Sequence, residues 1–252
     1  LPNMYPDYAD VTIPVNIAPL NFEIRNKHLC NIETILTIEG ADENDVDNTL
    51  TATSNSQNLK FDLKEWKYFL AKAAGKNIKV QIYSKNDEGK WTAFRPFTWQ
   101  VVRDSIDSYL TYQLIEPTYD VWSKTKIKQR CIENWDEKIL ADYTLIKNLK
   151  MNTYAYGNQD ENLSIIYLRG ENGGTILNRN GKLRKLNLQG KGMASPGIYY
   201  SFNPSGRYLT YSTNTMVRDF NINTDKRLEV YDTASSIYVA DLNDNHIISS
   251  PL

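Results

Sequence analysis

The feature that most constrains this chain is a recurring alternation of apolar and polar residues in short stretches separated by turn-forming residues. It runs through Leu20-Asn-Phe-Glu-Ile24, Glu33-Thr-Ile-Leu-Thr-Ile38, Leu59-Lys-Phe-Asp-Leu63, Ile78-Lys-Val-Gln-Ile82 and Thr98-Trp-Gln-Val-Val102. Successive side chains of a strand point to opposite faces, so a period of two marks half-buried strands, and their short spacing predicts a β-sandwich of the immunoglobulin-like kind over residues 20–116. One helix interrupts the pattern. From Leu63 to Ala74 a period near 3.6 places Leu63, Trp66, Phe69, Leu70 and Ala73 or Ala74 on one face, and Gly75 supplies a stop. Residues 1–19 form an extended arm, because Pro2, Pro6, Pro14 and Pro19 fix φ and push the preceding residue out of the helical region.

Residues 117–150 lose the rhythm and form a connector. Trp122 and Trp135 stand there among charges, as rings that pin it to something, and a helical turn or two is expected near Ile132 to Leu140. Strands return over 151–252, with Asn180-Gly181, Pro204-Ser-Gly206 and Asn243-Asp-Asn245 as hairpin junctions. Within this part, Ser201-Phe-Asn-Pro-Ser-Gly-Arg-Tyr-Leu-Thr-Tyr-Ser212, Leu228-Glu-Val-Tyr-Asp232 and Ile237-Tyr-Val-Ala-Asp-Leu242 resemble the repeat of TolB-type, WD40-like β-propellers. Asn203 and Ser205 replace the Ser and Asp of that repeat's turn, and both remain competent turn residues. Since a blade takes roughly 40 to 50 residues, 151–252 holds about two, an incomplete propeller. The expected class is therefore mainly β, a sandwich followed by partial propeller blades.

The chain also resembles envelope lipoproteins of Gram-negative bacteria that join a leading β domain to a TolB-like propeller and are often labelled cytochrome c biosynthesis proteins. The matching stretches include Tyr5-Pro-Asp-Tyr8, Val11-Thr-Ile-Pro-Val-Asn-Ile-Ala-Pro-Leu-Asn-Phe22, Asp104-Ser-Ile-Asp-Ser-Tyr-Leu110, Tyr112-Gln-Leu-Ile-Glu-Pro117 and Arg169-Gly-Glu-Asn-Gly-Gly-Thr175. Many relatives carry a Cys-x-x-Cys-His heme attachment where this chain has Met151-Asn-Thr-Tyr-Ala155, so the thioether and axial ligands for a covalent heme are missing there and no cofactor is expected. The resemblance implies an exported protein, periplasmic or held at the outer membrane, with a lipid anchor on a removed N-terminus as a candidate.

The remaining chemistry is sparse. A net charge of −1 gives no drive toward nucleic acid, and no apolar run is long enough to span a bilayer. Cys30 and Cys131 form a candidate disulfide, with two buried free thiols as the alternative. His28 and His246 fall in different domains and make no shared site. The acidic runs Asp42–Asp47 and Asp241–Asn245 lack EF-hand spacing, and Gly170–Thr175 lacks the Lys and the helix of a phosphate loop, so these read as a solvated loop, a blade turn and a strand-linking turn. The expected function is a non-catalytic scaffold that binds a protein partner in the envelope. Two other readings stand beside it: a carbohydrate binder that stacks Trp91, Trp99 or Trp122 on sugar rings, and a propeller glycosidase with paired carboxylates.

Overall fold

A computed structural model describes residues 1–26, 29–41, 46–115, 125–142, 144, 149–158, 160–219 and 229–249. Strands dominate, and the chain folds as two units: Leu1–Thr111 with Gln129–Lys138, and Tyr112–Lys128 with Ile139–Leu252.

The first unit holds β1 (Met4–Tyr5), β2 (Thr12–Pro14), β3 (Phe22–Ile24), β4 (Leu29–Ile38), β5 (Thr49–Ser54), β6 (Asn58–Leu59), helix α1 (Leu63–Lys72), β7 (Asn77–Asn86), β8 (Trp91–Ala93) and β9 (Phe97–Val102). The large sheet runs β2-β9-β7-β4-β5 with β8 alongside β7, and β1-β3-β6 make a second, small sheet. Alternation decides what is buried: Ile32, Thr34, Leu36 and Ile38 of β4, Ile78, Val80 and Ile82 of β7, and Phe97, Trp99 and Val101 of β9 turn inward. They share one core with Phe22 and Ile24 of the small sheet and with Trp66, Phe69 and Leu70 of α1. Trp66 and Trp99 meet edge to face there at 6.0 Å. The layer opposite the large sheet is thus shared between strands and a helix, and β2 joins β9 in parallel at the sheet's edge.

Asp62 starts α1 by accepting the N–H groups of Lys64 and Glu65 at 2.9 and 3.0 Å. Gly75, with φ +76°, takes the left-handed conformation that turns the chain after the helix. Residues 1–19 run through β1 and β2 with a turn at Asp10, where φ is +51°. Three indole N–H groups hold carbonyls of this arm: Trp99 donates to Tyr8 at 2.7 Å, Trp66 to Ile17 at 2.9 Å and Trp135 to Pro19 at 3.1 Å.

The connector is more regular than expected. β10 (Tyr109–Leu114), β11 (Lys126–Cys131) and β12 (Glu137–Asp142) form a three-stranded sheet in that order. The helical turn expected near Ile132 to Leu140 is instead a tight turn followed by β12. Asn134 Oδ1 accepts the Asp136 N–H at 2.9 Å and Trp135 takes φ +64°, and this local side-chain bond competes with helix formation. Trp122 lies outside the described residues.

The second unit contains two four-stranded antiparallel meanders. The first blade is β13 (Lys150–Gly157), β14 (Asp160–Arg169), β15 (Gly174–Arg179) and β16 (Lys182–Leu186). The second is β17 (Ile198–Phe202), β18 (Tyr208–Asp219), β19 (Glu229–Asp241) and β20 (His246–Ser249). Ile165 and Leu177 of one blade pack on Leu209, Tyr211 and Ala240 of the other, the stacking of neighbouring propeller blades. At the β17–β18 turn Asn203 Oδ1 accepts the Tyr208 N–H at 2.9 Å and Ser205 Oγ accepts the Arg207 N–H at 3.3 Å, which explains how the substituted residues keep the turn. β18 and β19 stay paired out to Asp219 and Glu229, whereas the pairing of β18 with β17 starts at Ser212 and that of β19 with β20 at Tyr238, so a two-stranded ribbon projects from this blade.

Candidate functional site

The first blade carries apolar side chains on both faces. Ile165 and Leu177 point toward the second blade, while the register Tyr154–Ile166–Ile176–Lys185 and Tyr156–Ser164–Asn178–Leu183 forms the other face. This second face, together with Ile127, Leu140 and Leu149 of the same unit, lines a cleft of about 880 Å³. Such a volume lies in the range of small-molecule sites. Tyr154 and Tyr156 meet edge to face at 6.1 Å. Burial, then the neighbouring Tyr156, raises the Tyr154 pKa, so its hydroxyl stays neutral at physiological pH.

Several polar groups of the lining are engaged within the protein. Asn178 donates to Ser164 Oγ at 3.5 Å and accepts the Gly181 N–H at 3.0 Å, and Asp142 Oδ1 accepts the Thr144 N–H at 2.9 Å. Arg184 alternates to the opposite face, where it donates to Leu242 O and Asn245 Oδ1, both at 2.9 Å. Lys185 is on the cleft face, exposed, and donates to the neutral carbonyl of Asn172 at 3.2 Å.

Asp241, Asp244 and His246 bring potential metal ligands within 4.8 Å of one another. Arg207 occupies the place a cation would take. Its Nη2 donates to Asp241 Oδ2 at 2.6 Å and to Asp244 Oδ2 at 2.8 Å, its Nε also donates to Asp241 Oδ2, and Asp241 Oδ1 accepts the N–H groups of Asn243 and Asp244. The lone pairs of Asp241 are spent on this turn, so the cluster is a structural ion pair.

The other sequence candidates scatter. Trp99 is fully buried and its N–H is committed, which corrects its candidacy as a stacking surface: Phe97, Trp99 and Val101 alternate on the inward side of β9. Trp91 is 49% exposed on β8, with Lys85 Nζ 6.0 Å from its ring centroid. No sugar platform therefore joins these two rings. Cys131 is a half-buried residue whose backbone N–H and carbonyl are both held in the turn to β12, and the bridge considered with Cys30 involves a side chain outside the described residues. His28 and the side chain of Cys30 lie outside the described residues. Gly170–Thr175 is a strand-linking turn, in which Gly173 donates to the Gly170 carbonyl at 3.0 Å and a Cβ on Gly173 would lie 2.2 Å from the Leu168 oxygen. The cleft itself went unnoticed in the sequence, although β14 carries Ile165 and Ile166 side by side and β15 carries Ile176 and Leu177. Consecutive apolar residues in a strand signal that both faces are covered.

The fold defines a mainly β chain whose second unit is built from propeller-type blades. No family model and no curated protein matches the sequence. Among solved structures, an oligogalacturonate lyase in complex with manganese is similar at 10% identity and a TM-score of 0.31. The match covers 69% of this chain and 49% of that one, so the chain spans about half the length of the structure it matches.

Proposed function

We propose that this chain is a non-catalytic binding protein of the TolB-like envelope type, and that its recognition site is the apolar cleft on the first blade. The observation that carries this reading is the make-up of that cleft: about 880 Å³ of space between aliphatic and tyrosine walls, on which Asn178, Ser164 and the Gly181 N–H are already bonded to one another. Acid–base catalysis needs a positioned proton donor and acceptor facing the same space. Among the described residues of this lining Asp142 is the one carboxylate, and it accepts a backbone N–H, whereas glycoside hydrolysis calls for two. An apolar recess that remains open is a site for a ligand that keeps water out.

The test uses the neutral fluorophore Nile red. The wild-type protein should give a saturable, one-to-one rise in emission, and Leu183→Asp or Ile176→Asp should weaken it about tenfold or more, since either buries a carboxylate against the dye. Leu183 is 73% exposed, so its substitution leaves the fold intact. Absence of saturable binding, or binding indifferent to both substitutions, overturns the proposal.

A further inference from the structure

We infer that the ligand of the cleft is an anionic amphiphile, an aliphatic chain lying in the cleft with its charged head at Lys185; this rests on the proposed binding role of that cleft. Three observations select the class. Ile166, Ile176 and Leu183 of the blade line the space together with Leu140 and Leu149, so its walls reward apolar contact.

The second is the state of the polar groups. Asn178, Ser164 and Asp142 are bonded within the protein. A peptide strand entering the cleft would bring an N–H and a carbonyl at every residue and find few groups to receive them, at a cost of about 1–3 kcal/mol for each one left unmade. A sugar would bring hydroxyls with the same demand. An aliphatic chain brings none.

The third is charge. Among the described residues the lining has three that are charged: Asp142, which accepts the Thr144 N–H; Arg184, turned to the opposite face; and Lys185. The register pairs Lys185 with Ile176, which puts its stem along the apolar wall, and its Nζ contacts a neutral carbonyl, with no carboxylate partner among the described residues. An ammonium group placed at the edge of an apolar surface complements a carboxylate or phosphate head joined to a hydrocarbon tail.

Displacement of Nile red by palmitate, hexadecanol and hexadecyltrimethylammonium, at equal chain length and below their critical micelle concentrations, decides the question. Palmitate should compete about five- to tenfold better than hexadecanol, and the cation should compete worst. Lys185→Glu should remove the palmitate advantage over hexadecanol; Lys185→Arg should retain it. If Nile red binds but all three compounds compete equally, or Lys185→Glu changes nothing, the anionic class is wrong and the binding role stands. If Nile red does not bind, the binding role itself falls.

Discussion

The indole of Trp99 does two things in the first unit: its rings fill the core against Trp66, Phe61 and Phe97, and its N–H holds the arm through Tyr8. Trp99→Phe removes the second and trims the first, and should cost about 1–3 kcal/mol, read as a lower urea midpoint by tryptophan fluorescence. Trp91→Ala, at an exposed position, should stay within about 0.5 kcal/mol of wild type. The difference was half legible: Phe97, Trp99 and Val101 repeat at period two with polar partners, and that pattern marks an inward face. Residue type alone, which grouped Trp91, Trp99 and Trp122, says nothing of the partner each ring meets. Asp241 carries a pH signature. The Arg207 guanidinium, and then the backbone N–H groups of Asn243 and Asp244, hold its carboxyl far below the ordinary value of 3.8, against the opposing push of burial. A carboxyl depressed in the folded state contributes stability above its unfolded pKa and loses it as pH falls. The gap in urea midpoint between wild type and Asp241→Asn, open at pH 7, should therefore narrow steadily below about pH 4.

At the scale of elements, α1 shows how local rules and tertiary contacts agree. Asp62→Ala leaves the N–H groups of Lys64 and Glu65 without their acceptor and should cost about 1 kcal/mol, measured by thermal unfolding. The blades show contacts that local rules do not announce. A Cβ on Gly197 would lie 2.4 Å from the Tyr211 ring, which is buried and stacked on Tyr238 with centroids 5.9 Å apart. Gly197→Ala should therefore destabilise the second unit by about 1–3 kcal/mol, read by loss of near-ultraviolet tyrosine dichroism at lower urea. Strands, turns and α1 could be read from periodicity because their causes lie within a few residues. The tight turn at Ile132–Asn134 could not, since the Asx bond from Asn134 outweighs a weak helical pattern. The cleft could not either, because its walls come from segments far apart in sequence and meet only once the strands have paired.

On the scale of the whole molecule, the boundary expected between a domain ending at residue 116 and a connector over 117–150 gives way to an interleaved order, in which Gln129–Lys138 returns to the first unit. That return brings the Ile132 carbonyl to the Ala18 N–H at 2.7 Å, Glu133 to the Ser108 hydroxyl at 2.7 Å and the Trp135 indole to Pro19. A fragment of residues 1–111 lacks all three and should melt several degrees below one of residues 1–138, as circular dichroism would record. Sequence pattern cannot foresee such a return, because β11 and β12 look alike whichever unit they serve. Synthesis feels its effect: Trp135 follows the Pro19 it holds by 116 residues, so this anchor, and Ile132 beside it, can close on the arm only after strands β3 to β9 have been made. At typical elongation rates the stretch from Val102 to Trp135 takes on the order of a few seconds to make, an interval in which the nascent first unit holds its strands without these late contacts to the arm.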